Sequence, residues 1–314
     1  GLITAGELVK IQDETGAAIE EVFPIGWIYG INEMSVSEGY YIKVNTATSL
    51  AVEGSPAELP ITIPFSMGWN IMGYPVQGGQ DAQAAVQDMI SEGSLVKIQD
   101  ETGAAIEEVF PIGWIFGISN FEPGEGYYVK VNTSTGITFD NPGLAMSGAD
   151  YQAGRMVPVH FRTDYTGNPY LPMDLYILDA KIDGVPVLSG MEVGIYDSDV
   201  CVGAAVFSGS LESEDSYLPL VVSMDDPTTA EVDGYLPGNN IDVRIWNGER
   251  EYKVVSGSLL FETQGTAVME FDLNTVPDSY RLYANYPNPF NPETTISYDL
   301  AESGQAALFV YNIL

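Results

Sequence analysis

The sequence predicts a mainly all-β chain of tandem modules, and three observations carry that expectation. The first is a repeat: residues 8–28, LVKIQDETGAAIEEVFPIGWI, recur unchanged at residues 95–115, an offset of 87. The second is a series of eight short alternating segments between positions 156 and 273, separated by turn signals. Alternation of apolar and polar residues with period two marks a strand with one buried face. The third is a content of 33 Gly, 19 Pro and 19 Tyr in 314 residues, which suits many turns and half-buried aromatic strands.

Taken in order, residues 1–54 read as a partial repeat module and residues 55–142 as a complete one. In the complete copy, residues 59–75 are expected to form a strand pair with Ser66-Met67-Gly68-Trp69-Asn70 at its turn. Asp81 is placed to cap a short helix reaching about Ile90, with Ala82, Ala85, Val86 and Met89 as its apolar stripe. Residues 95–99 form a strand, Asp100-Glu101-Thr102-Gly103 a hairpin turn, and residues 112–118 and 126–132 the last strands. The similarity extends from Gly39-Tyr40-Tyr41 to Gly126-Tyr127-Tyr128. Core packing alone does not preserve Gln, Asp and Glu positions, so the identity of the copies points to a recent duplication. The first copy lacks the strand pair that precedes the second, which leaves a strand edge open. The chain thus reads as a fragment, continued upstream or completed by a neighbouring molecule.

Gly68-Trp69-Asn70, Ile112-Gly113-Trp114-Ile115 and Pro123-Gly124-Glu125-Gly126-Tyr127-Tyr128-Val129 carry a resemblance to the Gly-Trp-Asn modules near the C-termini of large secreted bacterial proteins. The resemblance covers about residues 1–140 and implies no chemistry.

Residues 143–276 are expected to form a β-sandwich. Its strands fall at 156–161, 174–182, 192–196, 200–207, 218–223, 241–246, 252–260 and 266–273, with turns such as Asp183-Gly184 and Asn247-Gly248 between them. The segments 194–204 and 225–235 resemble a recurrent β-domain of secreted bacterial proteins, to which no activity attaches. Their acidic loops are the candidate metal site: Asp197, Asp199, Asp225, Asp226 and Asp233 supply the hard oxygen ligands that calcium takes. The spacing is not that of an EF-hand, and the competing reading is that these aspartates bond their own turns. The lone histidine, His160, reads as an ordinary strand residue, and the lone cysteine, Cys201, as a small core hydrophobe.

Residues 277–314 hold the most specific motif, LYANYPNPFNPETTISY at 282–298. Its closely spaced prolines favour a stiff, extended entry segment. Strands are expected at 294–300 and 306–313, joined by residues 302–305. The motif resembles the start of the immunoglobulin-like C-terminal sorting domain of type IX secretion cargo. That resemblance implies the secretion machinery as a partner and delivery to the extracellular space or outer cell surface.

The charge balance, 44 acidic against 11 basic residues for a net charge of −33, disfavours nucleic acid and anionic membrane surfaces as partners. There is no run of about eighteen apolar residues to cross a membrane as a helix. One Cys and one His exclude an intrachain disulfide and argue against a Cys/His zinc site or a histidine-based catalytic set. A glycosidase pair needs two acids about 5–10 Å apart across a sugar cleft, for which a small sandwich leaves little room. The expectation is a non-catalytic extracellular structural protein that assembles with copies of itself into a fibre, tube or sheath, or serves as an adhesive stalk. The alternative is a set of accessory, glycan-binding modules of a larger secreted hydrolase, with Trp27, Trp114 or Trp246 stacking on sugar.

Overall fold

The computed structural model describes residues 1–50, 57–140, 156–211, 216–273, 280–289, 291–300 and 306–309, with side chains at all of these except 254–258 and 299. It is mainly β, in several antiparallel sheets, as the alternation and turn content predict.

The first copy opens with a one-turn helix, α1 (Leu2–Ala5), followed by β1 (Leu8–Gln12), β2 (Ala18–Val22), β3 (Gly26–Tyr29) and β4 (Tyr41–Val44) in the order β3-β2-β1-β4. The second comprises β5 (Ile61–Phe65), β6 (Gly68–Gly73), β7 (Gln80–Asp81), α2 (Ala82–Ser91), β8 (Leu95–Gln99), β9 (Ala105–Val109), β10 (Gly113–Phe116), β11 (Asn120–Phe121), β12 (Gly126–Val131) and β13 (Thr135–Phe139). Its main sheet runs β10-β9-β8-β12-β6. The duplicated residues build the same ladder twice: Lys10 faces Glu20 and Ile11 faces Ile19, just as Lys97 faces Glu107 and Ile98 faces Ile106. The turns match too. Asp13 Oδ1 accepts from the N–H of Thr15 and Ala17 at 2.9 and 3.0 Å, and Asp100 Oδ1 from Thr102 and Ala104, both at 2.9 Å.

Helix α2 forms where expected, capped by Asp81, whose carboxylate accepts the Ala84 N–H at 2.8 Å. It buries Ala82, Val86 and Met89 on one side. The strand pair expected within residues 59–75 is different: β5 and β6 follow one another but pair with β13 and β12, respectively. The reason is Asn70. Its side chain accepts the Ser66 N–H at 2.9 Å and donates to the Ser66 carbonyl at 2.9 Å, closing a bend that sends β6 into the main sheet. β13 was not foreseen; it covers the core together with β5, burying Ile63, Phe65, Ile137 and Phe139.

Among the described residues, the first copy has no such cover. Its apolar cluster is small, centred on Leu8, Ile11 and Ile31, and Ile42 is exposed where the matching Val129 is fully buried. The open edge expected there meets β6 of the second copy: the Gly39 N–H donates to the Ile71 carbonyl at 2.9 Å, and Glu38 bridges to Met72. Gly39 is needed at this junction, since a Cβ would lie 2.6 Å from Ile71 Cγ2 and 2.7 Å from the Met72 carbonyl oxygen.

The middle region contains β14 (Met173–Ile182), β15 (Val185–Pro186), β16 (Glu192–Asp197), β17 (Val200–Val206), β18 (Leu218–Val222), β19 (Asn240–Trp246), β20 (Glu251–Leu260) and β21 (Thr266–Leu273). One sheet has β15, β14 and β18 with β21 added to β14; the other runs β17-β16-β19-β20. Both sheets feed one apolar cluster, including Leu175, Ile177, Val193, Ile195, Val243 and Ile245, all fully buried. Burial of each such side chain contributes roughly 1.5–3 kcal/mol relative to exposure. The pair β14–β21 is parallel, with Asp174 opposite Thr266 and Ile182 opposite Leu273.

Residues 156–161 are not a strand. The Glu192 carboxylate instead accepts three consecutive amides, from Val159 at 3.0 Å, His160 at 2.9 Å and Phe161 at 3.1 Å. Those donors are thereby unavailable to a ladder, and Pro158 has none to give. In the tail, β22 (Arg281–Leu282) pairs with β23 (Tyr298–Asp299), and Tyr286 bridges to Thr295. The strand expected at 294–300 is thus shorter than read. Of the strand expected at 306–313, residues 306–309 are irregular; the remainder, with residues 301–305, lies outside the described residues.

Candidate functional site

Strand alternation gives β8 two faces. Ile98 points into the apolar cluster of the second copy, while Lys97 and Gln99 lie on the sheet's other side beside Glu107 of β9. The middle region packs against that side. The β14–β21 register sets Asp174 beside Thr266, and strand alternation keeps Tyr176 on the face of Asp174.

Together these ladders enclose a polar cluster. Lys97 Nζ lies 2.6 Å from Asp174 Oδ2 and 3.3 Å from Glu107 Oε2. It also donates to the Thr266 hydroxyl at 3.1 Å and the Gly265 carbonyl at 3.2 Å. Gln99 Nε2 donates to Asp174 Oδ2 at 2.8 Å, Tyr176 Oη to Glu107 Oε1 at 2.9 Å, and the Thr266 hydroxyl to Glu107 Oε2. Lys97, Gln99, Glu107 and Asp174 are all buried. Next to them Val109, Ile115 and Tyr176 form a dry patch with Ile112, Tyr217 and Val268.

Two carboxylates share one lysine here. Burial drives the Asp174 carboxyl above the ordinary carboxylate range; Lys97 opposes that shift, and the Glu107 carboxylate adds to it. Such a contact is held by geometry and hydrogen bonding, because removing either partner strands a buried charge.

The five candidate calcium ligands are arranged otherwise. Asp197 Oδ2 accepts the Leu236 N–H at 2.8 Å, and its two oxygens accept from Asn239 Nδ2 at 3.0 and 2.9 Å. Asp199 is exposed, 3.7 Å from Arg244. Asp225 Oδ1 accepts the Asp233 N–H at 3.0 Å. Asp226 Oδ1 accepts the N–H and hydroxyl of Thr228 at 2.9 and 2.7 Å, and its Oδ2 meets Lys43 of the first copy at 2.6 Å. Burial works against the charge on Asp226, but Lys43 and Thr228 outweigh it and hold the carboxyl below its ordinary value. Asp197 thus reaches Leu236 and Asn239, just past the second loop. Among the described residues, however, no three Asp, Glu, His or Cys side chains gather as a cation site.

His160 stacks on Trp246, with ring centroids 3.9 Å apart and planes 4° from parallel, and its Nε2 is 3.3 Å from Glu251. Trp27 and Trp114 pack against the apolar clusters of their own copies. A cleft of about 270 Å³ opens between both copies and the middle region, walled by Lys10, Tyr41, Trp69, Tyr128, Tyr170 and Gln264.

Sequence reasoning missed Lys97, Gln99, Glu107 and Asp174 as a unit. The signal was present: polar residues kept unchanged between copies, on strand faces that a lone module would leave to solvent. No family model, curated protein or solved structure matches this chain.

Proposed function

We propose that this chain is a non-catalytic structural protein of the cell exterior, built as a stalk of firmly joined β modules that associates with copies of itself. The observation that carries the reading is the buried contact of Lys97, Glu107 and Asp174. Mobile domains ordinarily meet through exposed polar surfaces; here charged side chains are buried across the contact, which favours one fixed relative placement. The resemblance of residues 282–298 to a type IX sorting signal supports export, and the acidic surface suits a protein that must stay dispersed outside the cell. Electron microscopy of native material in negative stain tests the reading. Rods, fibres or tubes of constant width are expected; dispersed particles with variable module angles would overturn it.

The cleft lined by Tyr41, Trp69, Tyr128 and Tyr170 favours a second reading, the glycan-binding accessory module, because aromatic faces beside amides and charges suit a sugar. Titration calorimetry with cell-wall oligosaccharides tests it: saturable heat lost in Trp69→Ala supports it, and no heat with any of them removes it.

A further inference from the structure

The structure contains its own control for one surface. Residues 8–28 and 95–115 are identical and build one ladder, yet only the second copy has the Asp174 face of the middle region upon it. Lys10 and Glu20 hold the same 3.3 Å spacing as Lys97 and Glu107. Their side chains are 24% and 33% exposed, against 3% and 5% in the second copy. The apolar part is uncovered likewise. Val109 and Ile115 are buried and Ile112 packs beside them, whereas Val22 and Ile28 are half-buried and Ile25 is 75% exposed. Among the described residues, the chain's own middle region touches this face at its β4 edge, through Tyr41 against Tyr170 and Lys43 against Asp226, and faces Lys10 and Gln12 across the open cleft, leaving Glu20, Val22 and Ile28 outside it.

From this we infer that Lys10, Gln12, Glu20, Val22 and Ile28 form a second docking platform, and that its occupant is the Asp174–Tyr176–Thr266 face of a second copy of this chain. Charge and shape both select that occupant. The platform offers one lysine beside one glutamate with an apolar strip alongside. The middle face offers a carboxylate for the lysine, a phenol and a hydroxyl for the glutamate, and Val268 for the strip. Each chain carries two platforms and one middle face. A middle face that leaves its own second platform for a neighbour's first platform leaves an empty platform behind it. The polar core of the contact made then repeats the one given up, while Tyr41–Tyr170 and Lys43–Asp226 are lost, so high concentration is needed to drive the exchange, and the pattern is open-ended because it is heterologous. This deepens the proposed self-association by naming its two surfaces.

Two full-length variants test it. A donor chain carries Lys10→Glu and Lys97→Glu, so both of its platforms repel Asp174. An acceptor chain carries Lys97→Glu and Asp174→Lys, which restores opposite charges across its internal contact and leaves the Lys10 platform untouched. Sedimentation velocity of the mixture is expected to show a one-to-one complex, weakened at least about tenfold when the acceptor also carries Lys10→Glu. No complex, or one indifferent to Lys10→Glu, would overturn the inference. Circular dichroism checks that the donor folds. If it does not, the unmodified chain and Lys10→Glu alone are compared over rising concentration: association of the first and not the second supports the platform, and equal behaviour overturns it. Failure would not touch the firm internal contact, which depends on Lys97 within one chain.

Discussion

Lys10 and Lys97 occupy the same place in the same 21-residue segment, opposite the same glutamate and at the same distance from it. One is partly exposed at a sheet surface; the other is buried with two carboxylates, a glutamine, a phenol and a threonine hydroxyl around it. Nothing local separates them. The difference comes from residues about 75–170 positions further along the chain, Asp174, Tyr176 and Thr266. The backbone conformation of a strand can thus be set by its own sequence while the energetic weight of its side chains is set by whatever packs on it.

Removing the lysines should break the comparison most visibly. Lys97→Met leaves Asp174 and Glu107 buried without a cation and should cost about 3–5 kcal/mol in denaturant unfolding. Lys10→Met, the same change in the same sequence, should cost about 0–1 kcal/mol. Equal costs would mean that the middle region does not seal the second copy.

Proton linkage is the next largest effect. Burial raises the Asp174 carboxyl well above its ordinary value, so the folded state holds a proton there more tightly than the unfolded chain does. The stability from this group is therefore fully present below the unfolded value and is lost as pH rises through the raised folded value. Unfolding free energies between about pH 4.5 and about pH 8 should fall more steeply in the unmodified chain than in Asp174→Asn. Lys10→Met should leave that slope unchanged.

The smallest contrast lies in the turns. Gly16 and Gly103 share a left-handed backbone, with φ of +87° and +88°. An added Cβ at Gly16 meets only Gln12 Nε2 at 3.8 Å, while at Gly103 it lies 2.4 Å from Val221 Cγ1 of the middle region. Alanine at either position should cost about 1–2 kcal/mol for the left-handed conformation. At Gly103 the collision should add about 1–3 kcal/mol. Parallel melting curves of the two variants measure the difference.

Much of the fold was legible because its causes are local. The repeat, the Asp100 turn, the Asp81 cap and seven of the eight strands expected between 156 and 273 follow from alternation and turn chemistry, the exception being residues 156–161. That segment looked like a strand until Glu192 took its amides, a contact between positions about 30 residues apart that no periodicity records. The pairing of β5 with β13 was hidden for a similar reason, since the bend at Asn70 depends on one side chain. The candidate cation loops were read from composition, and their carboxylates turn out to bond amides, Asn239 and Lys43. The buried polar contact was the least legible. Lys, Gln and Glu on a strand read as solvent-facing, and only their unchanged recurrence hinted that something selects them.

The parallel pairing of β14 with β21 bears on how the middle region would carry a mechanical load. The chain enters this region's sheets at the start of β14 and leaves at the end of β21, so the two points of attachment lie at opposite ends of neighbouring strands. A pull along the chain therefore slides one strand past the other, and the ladder from Asp174–Thr266 to Ile182–Leu273 resists as a set instead of opening bond by bond. The second copy's sheets are entered at β5 and left at β13, antiparallel partners whose loaded ends, Ile61 and Phe139, lie opposite one another and would peel apart in sequence. Single-molecule stretching should accordingly record its highest rupture force when the middle region yields, and a lower force there than for the second copy would show that the load takes another path.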